Sequence, residues 1–343
     1  MSTSIAKEPT EKDPTPADGP RESGMRGRLH AGLQQLLAFA GLIVIMIVFW
    51  ILSPVFLTFN NIVNNMMFSA VVIGILALGT TFVIITAGID LSIGTGMALC
   101  GVMAGNFVTN FGLPWLLGAV LAIAFGGLIG LINGTFVAVA KLPPFIATLA
   151  MMMVAEGLAL VFSNSAPIYF DSDKAGGLMA LSTGRLIPGV PNAVLILLLV
   201  TVIAGIALNR TILGRYTYAL GSNEEAAEVS GVSVVRWKIL IYTFAGLFTG
   251  LAGVMISARL GSAQPGIGMG YELQAIAAVV IGGTSLMGGK GSILGTLIGA
   301  LIISVINNGL QLMSVPQEWQ NVVLGAVILA AVYVDTLRKK ART

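Results

Sequence analysis

The chain has 343 residues, of which 56% are hydrophobic and only 10% charged, and its mean hydropathy is +0.93. That balance excludes the two or three soluble domains this length would allow, and 43 glycines fit closely packed transmembrane helices. A net charge of +3 gathered beside apolar spans gives no reason to expect nucleic acid, and one cysteine, Cys100, excludes a disulfide framework or a cysteine metal cluster.

In chain order, residues 1–28 are rich in Pro, Glu, Lys, Ser and Thr and are expected to form a disordered tail. His30, the only histidine, flanks a first apolar run, Ala31 to Ser53, too long for a cleavable signal and therefore a retained span. A second run extends from Asn60 to Ala87 and opens on Asn60, Asn61, Asn64 and Asn65. After Asp90, no charge appears until Lys141. Roughly fifty helical residues would extend about 75 Å, more than twice a hydrocarbon core of about 30 Å. That stretch must fold back, and Asn110-Phe111-Gly112-Leu113-Pro114 supplies the turn between a third and a fourth span. The fifth, about Phe145 to Phe162, holds Glu156. Residues 164–190 are expected to be a polar loop carrying Asp171, Asp173, Lys174 and Arg185. A sixth span, about Ala193 to Leu208, leads to a charged island, 209–238. The seventh covers about Ile239 to Ala258, the eighth starts near Glu272, the ninth ends near Leu312, and the tenth covers about Trp319 to Val334. The expectation is an all-α polytopic membrane protein with about ten transmembrane helices, a membrane domain over 29–337 and a basic C-terminus at 338–343.

Ten spans place both termini on one side. Fifteen of the eighteen Lys and Arg residues then lie on that side, leaving Lys174, Arg185 and Arg259 on the other. The positive-inside rule puts the termini and the charged island in the cytoplasm and the 164–190 loop outside.

The island cannot lie in hydrocarbon. Within it, Ser222 or Asn223 can cap a helix whose first turns hold Glu224, Glu225 and Glu228, and Gly231 supplies a stop. Glu225-Ala226-Ala227, followed after three residues by Gly231, resembles the "EAA" loop of bacterial ABC importer membrane subunits. That likeness implies that Ser222, Asn223, Glu224, Glu225, Ala226, Ala227 and Gly231 form a coupling helix on a cytoplasmic ATPase subunit. Ile241 fits the longer pattern, whereas Thr243-Phe244 stands where Leu-Pro is expected.

Thr284 to Gly291 is superficially like a phosphate-binding loop. Thr284 stands where the first glycine of that pattern belongs, however, and Gly291 replaces the Ser or Thr after Lys290. No ATP site of its own is therefore expected. Instead, Gln264-Pro265-Gly266, Gly270-Tyr271-Glu272-Leu273, Val280 to Leu286 and Gly288-Gly289-Lys290-Gly291 closely resemble the ribose-type branch of sugar ABC importer permeases. Upstream, Gly88 to Gly94, Asn133-Gly134, Pro144 to Leu149 and Gly221-Ser222-Asn223 fit the same pattern, which covers nearly the whole chain after the tail.

The resemblance implies an ABC importer permease fold in a bacterial inner membrane. It also implies a homodimer or a pair with a homologous permease, and an extracytoplasmic sugar-binding protein. The partner ATPase would hold ATP and magnesium, and this chain no cofactor, metal or catalytic residue. Intramembrane carboxylates are costly facing lipid, so Asp90, Glu156 and Glu272 are candidates for a pathway, with the amides Asn64, Asn65, Asn133, Asn307 and Asn308. The same side chains serve equally well to bond helix to helix, or, for Asp90, to cap the next helix. A polyol, a signal sugar or a branched-chain amino acid are alternative solutes, and an ion-coupled secondary transporter is an alternative class. A scarcity of intramembrane carboxylates and the lack of a His or Lys relay weigh against that class, and the lack of a nucleophile or metal set against a membrane enzyme.

Overall fold

The computed structural model describes residue 36 and residues 38–340, so the expected tail, 1–28, and His30 lie outside the described residues. Helix α1 (Ala38–Leu52) is followed by α2 (Phe59–Ile85), α3 (Ile93–Gly105), α4 (Trp115–Ala138) and α5 (Pro144–Phe162). Next come a two-residue strand β1 (Ile168–Tyr169), α6 (Ser172–Thr183), α7 (Asn192–Arg210), α8 (Ile212–Ser222) and α9 (Glu224–Val229). Helix α10 (Val234–Leu260), β2 (Ser262–Ala263), α11 (Tyr271–Ile281), α12 (Ile293–Leu312) and α13 (Gln317–Lys340) complete the chain.

Helix α2 is the axis of the bundle. From Met67 onward it is apolar on every face, and Val71 to Ile85 are all buried, as a helix surrounded by protein requires. Helices α4, α5 and α7 are equally apolar but largely exposed, presenting Val120, Met153, Val161 and Leu199 outward. An apolar helix with a bare apolar face is suited to lipid rather than water.

Among the described residues, α2, α4, α5, α7, α10 and α12 are the six helices long and apolar enough to cross a membrane. Other expected spans are built differently. The third is a 13-residue α3 continued by a π-helical turn at Asn106–Asn110, and the eighth is an 11-residue α11. Eleven residues rise about 16 Å, roughly half a hydrocarbon core. An apolar run interrupted by glycine does not show from composition whether its helix is whole.

Helices α4 and α10 meet along a seam of glycines. A Cβ on Gly126 would run into the Gly246 carbonyl, one on Gly130 into the Tyr242 carbonyl, and one on Gly250 would stand 2.7 Å from Ile123 Cα. Small residues permit this backbone approach.

The 164–190 segment is more ordered than the expected loop. Asp171 caps α6 by accepting the Asp173 N–H at 3.1 Å, and Ala175 and Leu178 bury the inner face of the helix. Ser182 Oγ donates to the Met255 carbonyl of α10 at 3.0 Å, and β1 pairs antiparallel with β2. The charged island likewise contains α8, an amphipathic helix that buries Gly214, Thr217 and Leu220. The island and the 164–190 segment lie at opposite ends of α10.

Candidate functional site: an amide-lined cavity and a polar helix

Helices α2, α10, α11, α12 and α13 enclose a cavity of about 880 Å³. Its polar wall is mostly amide. Asn307 and Gln311 stand one turn apart on α12, and Gln317, Gln320 and Asn321 share one face of α13. Asn307 Nδ2 donates to Gln274 Oε1 of α11 at 3.0 Å. Neutral amides offer donors and acceptors together, so they suit a hydroxyl-rich solute without trapping it ionically. Phe68, Val72, Ile256 and Leu324 supply the apolar remainder.

Two charged groups stand on this wall. Glu272 opens α11 and accepts the Gly270 N–H on Oε1 at 3.1 Å, whereas its buried Oε2 has no hydrogen-bond partner. Gly94 makes room for that carboxylate, since a Cβ there would collide with Oε2. Arg259, in the last turn of α10, lies 4.0 Å from the centre of the Phe68 ring and donates to the Asn64 carbonyl at 3.1 Å. That carbonyl belongs to a π-helical turn, Ile62–Met66, and the same turn offers the Met66 carbonyl to the Ser304 hydroxyl. A π-turn breaks the ordinary i to i−4 ladder and leaves carbonyls for other partners.

At the far end of α10, Asn223 caps α9, its side chain accepting the Ala226 N–H at 2.9 Å. Glu224 pairs with Lys238 at 2.6 Å, tying the first turn of α9 to the first turns of α10. Ala227 is buried, while Glu225, Glu228 and Val229 face outward. The Val232 N–H donates to the Ala227 carbonyl at 3.0 Å around Gly231, whose φ of 86° is the left-handed conformation glycine adopts without strain.

Residues 62–332 match the family described as "Branched-chain amino acid transport system / permease component". The chain belongs to this permease family. The permease is 44% identical over 318 residues to the ribose import permease protein of Escherichia coli strain K12, covering 92% of this chain and 98% of that one. It is 45% identical over 309 residues to the ribose import permease protein of Bacillus subtilis strain 168, covering 90% and 94%. It is 35% identical to the xylose transport system permease protein of E. coli strain K12, covering 94% and 96%. No solved structure matches it. A permease component is a transport subunit rather than an enzyme.

Of the pathway candidates in this permease, Asn65, Glu272, Asn307 and Asn308 line the cavity. Asn64 lies beside it, donating to Asn60 Oδ1 and accepting from Arg185 at 3.2 Å. Asp90 and Asn133 sit elsewhere, in a buried network of their own. Asp90 Oδ1 accepts the Ser92 N–H at 2.8 Å and the Ser92 hydroxyl at 2.6 Å. Asn133 Nδ2 donates to Ser92 Oγ at 2.8 Å and to Asp90 Oδ2 at 3.4 Å. Their bonding fastens the entry of α3 to α4. Glu156 is half-buried on α5 and does not line the cavity. Arg259, Gln274 and the amides Gln311, Gln317, Gln320 and Asn321 join the site unforeseen. The i, i+3 and i+4 spacing of the amides was the available signal.

Proposed function

We propose that this permease carries a monosaccharide, ribose-like in size and hydroxyl content, across a bacterial inner membrane. The observation that carries the reading is the amide-rich wall around the cavity, and the ribose and xylose relatives support it. A branched-chain amino acid would call for an apolar pocket with free partners for its carboxylate and ammonium. Arg259, the cation on the wall, is already engaged by Phe68 and the Asn64 carbonyl.

The driving force comes from ATP hydrolysed with magnesium on a separate cytoplasmic subunit, against which α9 docks as a coupling helix. Residues 222–231 transmit the closure of that subunit to the membrane helices. Two copies of this chain, or one copy and a homologous permease, form the channel. A binding protein delivers the solute to the end that carries α6.

Uptake of a panel of labelled sugars into vesicles tests this. Purified permease, ATPase subunit and binding protein should accumulate a pentose or hexose only when ATP is supplied on the α9 side. Accumulation driven by a proton gradient without ATP would overturn the importer reading. Accumulation of leucine in preference to every sugar would overturn the solute class.

A further inference from the structure

Between α11 and α12 runs a stretch, Gly282 to Gly291, that contains five glycines and lines no part of the cavity. The structure folds it into a unit closed by its own hydrogen bonds. The Thr284 N–H donates to the Val279 carbonyl at 3.1 Å, Gly288 N–H to the Ser285 carbonyl at 3.0 Å, and Ser285 N–H to the Lys290 carbonyl at 3.0 Å. Gly283, Gly288 and Gly289 take φ of 90°, 82° and 73°, a course that side chains would oppose.

The unit is fastened to the elements around α9. Gly289 N–H donates to the Ile85 carbonyl at the end of α2 at 2.8 Å, and the Tyr218 hydroxyl of α8 donates to the Gly291 carbonyl at 2.9 Å. Gly221 approaches so closely that a Cβ there would fall on the Ile85 carbonyl and stand 2.7 Å from the Gly289 nitrogen. The next residue, Ser222, also abuts Gly289, and Asn223 after it caps α9. Loop and helix therefore share one surface. On that surface Met287 is 74% exposed, Val229 is 91% exposed, and Lys290, Glu225 and Glu228 are exposed as well. Such apolar side chains, rimmed by charge at the polar end of a bundle, suit a protein partner better than lipid.

We propose that residues 285–290 form a second docking element for the ATPase subunit, continuous with α9, with Met287 as its apolar contact. This rests on the reading of α9 as the ATPase contact and extends it. The consequence is a second route to the cavity. The loop begins at the C-cap of α11, Gly282, and the opposite end of that helix carries Tyr271, Glu272 and Gln274 on the cavity wall. A displacement of the loop acts along α11 without passing through α9.

The test uses Met287→Cys and Val229→Cys, each in a Cys100→Ala background, with the chain purified as its complex with the ATPase subunit. Each cysteine is labelled with a maleimide–benzophenone reagent and irradiated. A light-dependent adduct with the ATPase subunit is expected from both positions. The charged variant Met287→Asp should insert normally and lose about tenfold in ATP-dependent uptake, the scale of a buried interface contact. An adduct from 229 alone, together with full uptake by Met287→Asp, overturns this inference and leaves the α9 reading standing. An adduct from neither position overturns both. An adduct from 287 to a second copy of this chain or to lipid overturns the choice of partner.

Discussion

Asn61 and Asn308, 247 positions apart, exchange side-chain hydrogen bonds: Asn61 Nδ2 donates to Asn308 Oδ1 at 2.8 Å, and Asn308 Nδ2 returns one to Asn61 Oδ1 at 2.9 Å. Both are buried, and the pair joins α2 to α12 at the edge of the cavity. Asn308→Leu removes both bonds and leaves Asn61 with the Phe56 carbonyl and the Asn65 amide as partners. The variant should lose about 1–3 kcal/mol, the cost of a buried polar group left short of partners. Thermal unfolding in detergent measures this. Adding Asn61→Leu should restore part of the loss, whereas an unchanged midpoint for Asn308→Leu would show that the pair braces nothing.

Arg259 holds a ring and a backbone carbonyl at once, which the ammonium of lysine reproduces poorly. Arg259→Lys should therefore insert normally but loosen the π-turn of α2 at the cavity rim. Uptake should fall several-fold, and hydrogen exchange should rise at residues 62–66. Wild-type exchange there would mean the turn holds without the arginine.

Asn307→Leu tests the wall itself. If the cavity is the solute's path, losing this amide of its wall should weaken sugar uptake by about tenfold, or about 1.4 kcal/mol, and leave the basal ATPase rate of the complex unchanged. Full uptake by both Asn307→Leu and Gln274→Leu would remove these amides from the solute's path.

Gly231 has open space where a Cβ would stand, so its constraint within the chain is the backbone alone. Gly231→Val should cost about 1–2 kcal/mol locally, while Gly231→Asn, which tolerates the left-handed region, should cost less. Under the coupling reading, uptake and the stimulation of ATPase by loaded binding protein should follow the same order, with insertion unaffected. Equal uptake by all three proteins would dismiss 222–231 as the transmission element.

The two ends of the bundle can be told apart directly. A reporter active only in the cytoplasm should work when fused at Ala17, within 222–231 or at the C-terminus, and fail within 164–190. Activity from the 164–190 fusion would invert the arrangement drawn from fifteen basic residues on one side.

What the sequence made legible was whatever depends on polarity over long runs. Continuous apolar stretches located the full-length spans, and the charges of 209–238 marked a polar segment between them. Shorter features were hidden by the same averaging. Helix α8 was missed because its amphipathic turns lie inside a charged island, and α6 because its cap and small apolar face lie inside a polar loop. At the site the difficulty was different. Asn133 and Asn307 are both membrane amides, yet one is spent on Ser92 and Asp90 and the other faces a cavity. Pairing and lining demand the same side chains, so only the positions of the partners separate them.

The glycine seam between α4 and α10 has a consequence for motion. Where backbones touch, no side chain remains to change rotamer and absorb sliding, so these two helices must travel as one rigid piece. Any rearrangement that opens the cavity first to one end and then to the other is displaced onto elements that can pivot. Helix α11 is fastened to α12 by the same means, since a Cβ on Gly299 would fall on the Ala278 carbonyl and one on Gly295 on the Gly282 carbonyl. The glycines thus leave two stiff pairs, α4 with α10 and α11 with α12, and the cavity wall draws on both, so relative motion falls to the contacts between the pairs.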